Sequence, residues 1–538
     1  MAYTAAPETQ TYVTEKFPAA YDFEMRPNSK FYSSGSTTYQ DAGMINLLPN
    51  KVKKSDGSVV MYADTRAPIQ AYEIVNSDLP MRGCYVWQKT PTTAYFFAVC
   101  GTGVYTSVDA VTWTLRDTLL TGTDRPVRFT EFINDTNTKS LILVDGVEGY
   151  VYTSNLAGTK ITDVDFPTPH VPFPVFMDGY LFLAKAETGD IYNSDLNDPS
   201  AWTAGSFLSS ELYPDDIQAM VKVNNYILAI GTQGSEFFYD AANATGSPLA
   251  RYEGGSLPFG TQIPTSIASN KNSIIMIAND NNGENSIKVI ENLKAADIPA
   301  APIIAMLNHR IANATNFITG SAVRGYMFKQ YGGLYYGLAF QGDDTSSIPL
   351  TNPSFAFSFE TGMWTELRIG AAGTAPFPVY FVNGALGYGI SNYVGGHYGG
   401  TPFFGFMKEG AHGSYTVSAE DNIINGAGAL AIYTELRTPN FDCGTSNLKM
   451  MHRFGVKMQE GTSSTSTSGA PLTVSVSYSD DDYATYSTAR DLIFGASLKF
   501  PFLTQLGAFR QRSFKLTYAS TSFIRYSGIE MDINKGQQ

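Results

Sequence analysis

A repeated phrase restricts the fold more than any other feature of the chain. Gly103-Val104-Tyr105-Thr106-Ser107, Gly149-Tyr150-Val151-Tyr152-Thr153-Ser154 and Gly189-Asp190-Ile191-Tyr192-Asn193-Ser194 are variants of one another, and Glu236-Phe237-Phe238-Tyr239-Asp240 is a looser fourth. Their aligned tyrosines are 47, 40 and 47 residues apart. A second series has a similar period. Short apolar runs are punctuated by Asp145-Gly146, Asp178-Gly179, Asn224-Asn225, Asn282-Gly283, Gly332-Gly333 and Asn383-Gly384, residue types that accept positive φ and mark hairpins. The 238 residues from Asp145 to Asn383 divide into five intervals of about 48, close to the 40–50 residues of a four-stranded propeller blade. A unit of that size is a small antiparallel sheet that cannot cover both faces alone. Stacking such units radially until a ring closes buries the faces and removes exposed edges. The expected fold is therefore all-β, a β-propeller of four-stranded antiparallel blades with loop and β insertions and an N-terminal arm. A sandwich of ordinary hairpins is the competing architecture.

Composition agrees with strands. Charged residues make only 16 % of the 538-residue chain and aromatics 13 %, a balance suited to pleated, half-buried surfaces and unlike that of a disordered chain. The net charge of −13 argues against capture of phosphate backbones, which relies on Lys and Arg displacing counterions. Cys84, Cys100 and Cys443 form neither a disulfide framework nor a zinc motif. No window approaches the roughly 18 apolar residues of a membrane span, so no membrane insertion is expected. The start, Met1 to Glu8, lacks the basic and apolar regions of a secretory signal, which points to a chain made and kept in a cytosol or built into a particle there.

Along the chain, residues 1–30 carry Pro7, Pro18 and Pro27 without periodicity and read as an arm lying on another surface. Residues 31–300 read as the first part of the propeller, and 301–369 as a connector with a further blade, the connector being a short helix around Pro302–Arg310. Residues 370–430, with Gly395-Gly396-His397-Tyr398-Gly399-Gly400 and Phe403-Phe404-Gly405-Phe406, read as an irregular insertion, and 431–538 as C-terminal propeller blades. Gly461–Pro471 is a Ser/Thr-rich loop.

Chemistry-bearing motifs are sparse. Ser107-Val108-Asp109-Ala110-Val111-Thr112-Trp113 and Ser479-Asp480-Asp481-Asp482-Tyr483-Ala484-Thr485-Tyr486 resemble the Asp box, S-x-D-x-G-x-T-W, of sialidase-type propellers, each without its glycine. Such a box is a turn whose acidic side chain accepts backbone N–H groups while its last aromatic packs into the blade. Asp215-Asp216, Asp343-Asp344 and Asp480–Asp482 offer carboxylates, but neighbours on a strand point to opposite faces and make poor acid/base partners. Asp480–Asp482 could alternatively ligate Ca²⁺. The five histidines, His170, His309, His397, His412 and His452, stand singly, and no phosphate-binding loop is present. The residues therefore assign no catalytic, cofactor-binding or metal site, and no cofactor. Lys51–Lys54 and Arg510, Arg512 and Lys515 read as solvated strand faces or subunit contacts.

One longer signature does carry a family resemblance. It runs from Pro172-Phe173-Pro174-Val175 through Asp178-Gly179 to Tyr192-Asn193-Ser194-Asp195-Leu196-Asn197-Asp198-Pro199-Ser200-Ala201-Trp202. It continues through Glu211-Leu212-Tyr213-Pro214-Asp215-Asp216-Ile217 to Gly231-Thr232-Gln233-Gly234-Ser235-Glu236. This order resembles the packaged-DNA stabilisation proteins of short-tailed bacteriophages, also called tail hub or nozzle proteins. Ser479, Asp480 and Asp482 with the strand from Leu506 to Tyr518 resemble that family's closing strands. The matched pieces span about 172–300 and 430–535, and the family's S-D-D-G-G-x-T-W turn lacks both glycines here.

The resemblance implies a homo-oligomeric ring, a hexamer, added below the portal and a tail adaptor protein after packaging. It implies that the ring extends the channel for double-stranded DNA, retains the genome, and supports tail fibres or spikes and a needle or plug. The expected location is the virion, assembled in the bacterial host cytoplasm, with no enzymatic activity. The insertion at 370–430 would be a candidate nozzle tip, and deleting about residues 395–410 would then spare folding. The −13 charge suggests a lumen that repels phosphates. The alternative is a propeller that binds glycans or cleaves them as a sialidase does, with Arg66, Arg82, Arg116, Arg125 and Arg128 as the arginines.

Overall fold

The computed structural model describes residues 10–16, 42–53, 55–67, 69–73, 81–119, 125–213, 215–243, 245–280, 282–313, 323–340, 353–369, 375–376, 379–383, 393–398, 401–407, 432–460, 472–494, 500–520 and 523–535. Pro214, Asp343, Asp344, His412 and the Gly461–Pro471 loop lie outside them, as do parts of the 1–30 and 370–430 segments.

The sequence period resolves into consecutive four-stranded antiparallel sheets. Blade 1 comprises Met81–Thr90, Thr93–Cys100, Gly103–Ser107 and Thr114–Thr118; blade 2, Arg128–Ile133, Lys139–Val144, Gly149–Tyr152 and Thr159–Lys160. Blade 3 comprises Val175–Met177, Tyr180–Ala184, Asp190–Asp195 and Asp198–Ser209; blade 4, Ala219–Val223, Tyr226–Ile230, Ser235–Asp240 and Leu249–Leu257. The repeated tyrosine phrase is the third strand of each. Blade 5 has its first strand broken into Phe259–Gly260 and Ala268–Ser269, followed by Ser273–Asp280, Asn285–Glu291 and Lys294–Ile298. Helix Ala301–Asn313 is the connector, and blade 6 follows as Val323–Gln330, Gly333–Phe340, Ser354–Ser358 and Trp364–Ile369.

Blade 7 corrects the reading of 370–430 as an irregular insertion. Its described residues form Val379–Asn383, Tyr393–Tyr398 and Thr401–Met407, and the fourth strand is Ile69–Glu73, paired Phe403↔Glu73 through Met407↔Ile69. The first strand of this blade packs beside Met81–Thr90, so blades 7 and 1 meet and the seven sheets close a ring by packing. Glycines stand among the aromatic residues of these strands, and at Gly395 the small residue admits the neighbouring blade. A Cβ at Gly395 would crowd the Met81 and Cys84 sulfurs of blade 1.

The ring is held by alternation. In Tyr180–Ala184, Leu181 and Leu183 pack with Phe132 and Ile142 of blade 2, whereas Phe182 and Ala184 pack with Ile227 and Phe237 of blade 4. Ile274 and Met276 likewise face blade 4, and Ile275 and Ile277 face Val323 and Leu338 of blade 6. Successive side chains of a strand point to opposite faces, so each second strand joins both neighbours, at about 1.5–3 kcal/mol per fully buried large apolar side chain. The Asp178-Gly179 hairpin adopts the positive φ values its composition suggests, 49° and 87°.

The described residues of 431–538, expected as further blades, form a sandwich instead, together with strands from residues 43–65. One sheet orders Leu47–Lys53, Val59–Thr65, Ile524–Lys535, Lys449–Glu460 and Phe502–Thr504, with Gln10–Lys16 also on Ile524–Lys535. The other contains Gly43–Ile45, Ile432–Arg437, Ser513–Ser520, Leu472–Ser479 and Arg490–Phe494, and joins blade 6 through the parallel pair Ile45↔Glu366. Phe454 and Phe514 stack between the sheets with centroids 3.9 Å apart. Sandwich and propeller strands share the same period of 2, which is why the pattern alone reads as more blades. At the joint, Asn46 (φ 56°) donates to Tyr433 O at 2.7 Å and accepts from Arg66 Nε and Arg368 N at 2.9 Å each.

Candidate functional site

The signature residues gather at the junctions of blades 2, 3 and 4. Tyr192-to-Trp202 comprises the facing ends of the last two strands of blade 3 and the Leu196-Asn197 turn between them. Asn197 has φ 65° and donates its N–H to Gly179 O at 2.8 Å, which brings the Asp178-Gly179 hairpin and this turn to one end of the blade. Tyr192 stacks on Phe207 at 5.1 Å, and buried Ser194 accepts Leu181 N–H at 3.0 Å while donating to Asp195 O. Asp195 takes the Thr203 hydroxyl at 3.0 Å and Asp198 takes Ser200 N–H at 2.9 Å. Trp202 is buried edge-on against Phe166 at 5.3 Å, its backbone N–H donating to Asp163 Oδ2 at 3.1 Å and its indole N–H to Pro199 O at 3.2 Å. These groups fold the blade end.

The second half of the signature ties the exit of blade 3 to blade 4. Asp215 accepts the Thr232 hydroxyl, Gln233 N–H at 2.6 Å and Gly234 N–H at 3.2 Å. A Cβ at Gly231 would run into that carboxylate, which is why glycine stands there. Glu236, 2 % exposed, accepts the Ser210 hydroxyl at 2.5 Å and Leu212 N–H at 3.0 Å and pairs with Arg251 at 2.8 Å. Asp216 is exposed and takes no part in this network. Half-buried Asp215 and buried Glu236, of the E-x-x-P-D-D-I and G-T-x-x-x-E phrases, thus each serve a loop-to-blade staple.

Both Asp boxes are turns. Asp109 Oδ1 accepts Thr112 N–H at 2.7 Å, Val111 N–H at 2.9 Å and the Ser107 hydroxyl at 2.8 Å, and these donors hold its carboxyl well below the usual range. Trp113 packs at 5.1 Å from Phe404 of blade 7. In the sandwich, Asp481 accepts the Thr485 hydroxyl and N–H and the Ser479 hydroxyl, which likewise lower its pKa. Asp480 forms a two-point pair with Arg512 at 2.6 and 2.7 Å, and Asp482 accepts Asn440 Nδ2 at 2.5 Å. The three neighbouring carboxylates therefore serve three different partners. Arg512 departs from its reading as a solvated or contact residue: it is 1 % exposed, lying 4.0 Å from the Tyr478 ring centroid, because Asp480 neutralises it.

The arginines proposed for a sialidase site do not converge. Arg66 binds Asn46 and the carbonyls of Ala67 and Arg368. Arg82 donates to Arg125 O at 2.6 Å and Gly101 O at 2.9 Å, and Arg116 donates to Thr106 on the outer part of blade 1. Among the described residues no group of three His, Cys, Asp or Glu side chains is placed to hold a metal ion, and no helix is long and apolar enough to cross a membrane.

A family model described as bacteriophage P22 Gp10, beta-propeller, matches residues 30–318, more than half of the chain. The chain belongs to the bacteriophage P22 Gp10 beta-propeller family. The family match covers blades 1 to 5, including the signature staples. Comparison with curated proteins gives no match. Among solved structures, the fold is similar to an ancestral GH74 enzyme (11 % identity, TM-score 0.38, covering 73 % of this chain and 53 % of that one). It is also similar to the virginiamycin B lyase of Staphylococcus aureus (11 %, 0.39, 63 % and 98 %) and to BBS1N crystallised with ARL6DN (8 %, 0.40, 64 % and 99 %). The chain thus spans about half the length of the GH74 enzyme. At these scores the likenesses carry no inference about activity.

Two features escape sequence reading. His170 is buried, donating Nδ1–H to Pro167 O at 2.9 Å and accepting Gly146 N–H on Nε2, and burial lowers its pKa to about 4. Arg128, Lys222, Lys271, Arg324 and Lys329, from blades 2, 4, 5 and 6, also border one cavity. Their common signal is placement in, or just after, the first strand of a blade.

Proposed function

We propose that this chain is a structural component of a short-tailed phage tail, without turnover, whose role is assembly and genome retention. Six copies form a ring below the portal and adaptor rings, prolong the channel for double-stranded DNA, and carry fibres or spikes and a needle or plug. The observation that carries this reading is the family match over residues 30–318. The internal use of the signature carboxylates and the dispersed arginines support it, since neither leaves a converging acid/base pair or an arginine cluster around one pocket. The acidic chain suits a passage between copies that repels phosphates, and a tail structure with a mostly basic passage would defeat that part of the reading.

Incubating the purified protein with sialosides and host polysaccharide separates this role from the glycan-cleaving alternative. No release of sugar is expected, and measurable cleavage overturns the proposal.

A further inference from the structure

A groove of about 610 Å³ lies between blades 3 and 4, at the end that carries the Asp178-Gly179 hairpin. Three tyrosines of blade 4 line it: Tyr226 at the start of the second strand, Tyr239 near the end of the third and Tyr252 in the fourth. The register puts them on one face. Leu228 pairs with Phe237, so Tyr226 and Tyr239, each two residues away, share that face, and Tyr239 pairs with Ala250, two residues before Tyr252. Met177 and Asp178 of blade 3 border the groove from the other side. Tyr226 and Tyr252 meet edge to face at 5.2 Å, and Tyr226 is propped in the same way on Phe237 at 6.4 Å. Tyr239 is 39 % and Tyr252 37 % exposed, and none of the three hydroxyls bonds to a described residue. The fold buries its other blade aromatics, such as Phe182 and Phe237, so these rings are held in place yet left open to an occupant.

The polar groups of the groove differ in whether the protein already uses them. Arg251 pairs with Glu236 at 2.8 Å, Lys222 donates to Phe176 O at 3.2 Å, and Asp240 accepts Ala242 N–H at 2.7 Å. The carboxylates of Asp178 and Glu253 take no hydrogen bond or ion pair from a described residue. An ionised carboxylate accepts and cannot donate, so the matching occupant is rich in donors. A proline-rich segment, which also docks between aromatic rings, lacks N–H groups. A nucleotide would bring phosphates against the carboxylates of Asp178, Asp240 and Glu253. A cation needs an open ring face, whereas Tyr226 and Tyr252 pack on each other and the Lys222 ammonium borders the same groove. An uncharged sugar satisfies both demands. The flat C–H face of a pyranose lies on an aromatic ring, and its hydroxyls donate to carboxylates in charge-assisted hydrogen bonds. The volume falls within the about 300–1,000 Å³ of small-molecule sites.

We propose that the groove between blades 3 and 4 binds a neutral oligosaccharide, with Tyr239 and Tyr252 as the stacking platform and Asp178 and Glu253 as hydroxyl acceptors. Asn225, in the turn before Tyr226, offers an amide to a further hydroxyl. The second strand of blade 4 runs from Tyr226 to Ile230, so the groove and the Gly231-to-Glu236 staple lie at opposite ends of that blade. The site binds without turnover and stands whether or not the chain forms tail rings.

Isothermal titration of the full chain with maltohexaose, cellohexaose and mannohexaose tests it, with hexagalacturonate and hexalysine as charged controls. At least one neutral hexaose is expected to bind saturably, with little dependence on salt and more tightly than either control. Tyr239 contacts no other described ring, so Tyr239→Ala should leave melting unchanged and weaken that binding by about tenfold or more, while Tyr239→Phe retains it. Asp178→Asn should weaken it several-fold, and Asn tolerates the φ of 49° at that turn. Leu156→Ala, at an exposed apolar position on blade 2, should leave binding unchanged. Failure of all three neutral hexaoses to bind saturably overturns the proposal, as does binding indifferent to Tyr239→Ala. Tighter binding of hexalysine than of any hexaose also overturns it and makes the groove a seat for a basic segment. If Tyr239→Ala lowers the melting temperature, Asp178→Asn must still weaken binding at wild-type melting, and its failure to do so counts against the site.

Discussion

At the residue scale, the chain uses its polar groups to fasten turns, and the fastenings differ in how far they reach. Asp109 and Asp481 bind donors within four residues, so the S-x-D pattern made them legible even without the box glycine. Asp215 and Glu236 bind donors 17 to 26 residues away on a different blade edge, and nothing local in the sequence shows which backbone they meet. Replacing Glu236 by Ala strands the Ser210 and Leu212 donors and Arg251. Urea unfolding is expected to show a loss of about 2 kcal/mol or more, against no more than about 0.5 kcal/mol for Asp216→Ala at the exposed neighbouring carboxylate. Equal effects would mean that the staple contributes nothing. His170 gives a pH signature. Unfolded, an imidazole titrates near 6.5, and here the folded value is about 4. The unfolded state therefore takes up the proton first on acidification, so the contribution of the buried neutral ring is complete above about pH 6.5 and fades toward pH 4, by up to about 3 kcal/mol. The stability gap between the wild type and His170→Gln should narrow from pH 7.5 to 4.5, and parallel pH profiles would contradict this account.

At the element scale, the period of the sequence reports what is local. Third strands of blades 1 to 4 follow one another at blade spacing, and their tyrosine phrase marks them. The fourth strand of blade 7 escapes such a reading because Ile69–Glu73 reaches it from more than 300 residues away along the chain. The Gly/aromatic stretch looked irregular for the same reason: without its distant partner it shows three strands and no closure. Deleting residues 395–407 is therefore expected to abolish soluble protein, the opposite of what a surface insertion allows, since Phe403 and Phe404 are fully buried between blades. Recovery of folded, monodisperse protein from that deletion would contradict the blade. A gentler probe is Ile69→Ala, which removes a buried side chain of the closing strand. It should cost about 2–5 kcal/mol in denaturant unfolding, and a cost near zero would show that the strand does not lock the ring.

At the scale of the whole molecule, segments far apart in the chain meet in the sandwich. Asp64 and Arg525 form a two-point pair at 2.6 and 2.9 Å between strands that lie 461 residues apart in sequence. The sandwich continues into blade 6 through Gly43–Ile45, so propeller and sandwich share a sheet and form one continuous β structure. Class and repeat were readable because alternation and turn chemistry are local; the sandwich was not, because its alternation matches that of a blade and only long-range pairing separates the two. The chain so built has a ring of seven packed blades continuous with a sandwich and is acidic overall, and this is the body that the proposed ring would repeat. Electron-microscopic reconstruction of the purified chain mixed with its cognate portal and adaptor rings tests this most directly. The account predicts a sixfold ring of these subunits seated below the adaptor around an open conduit, whereas subunits that stay single beside bare adaptor rings would contradict it.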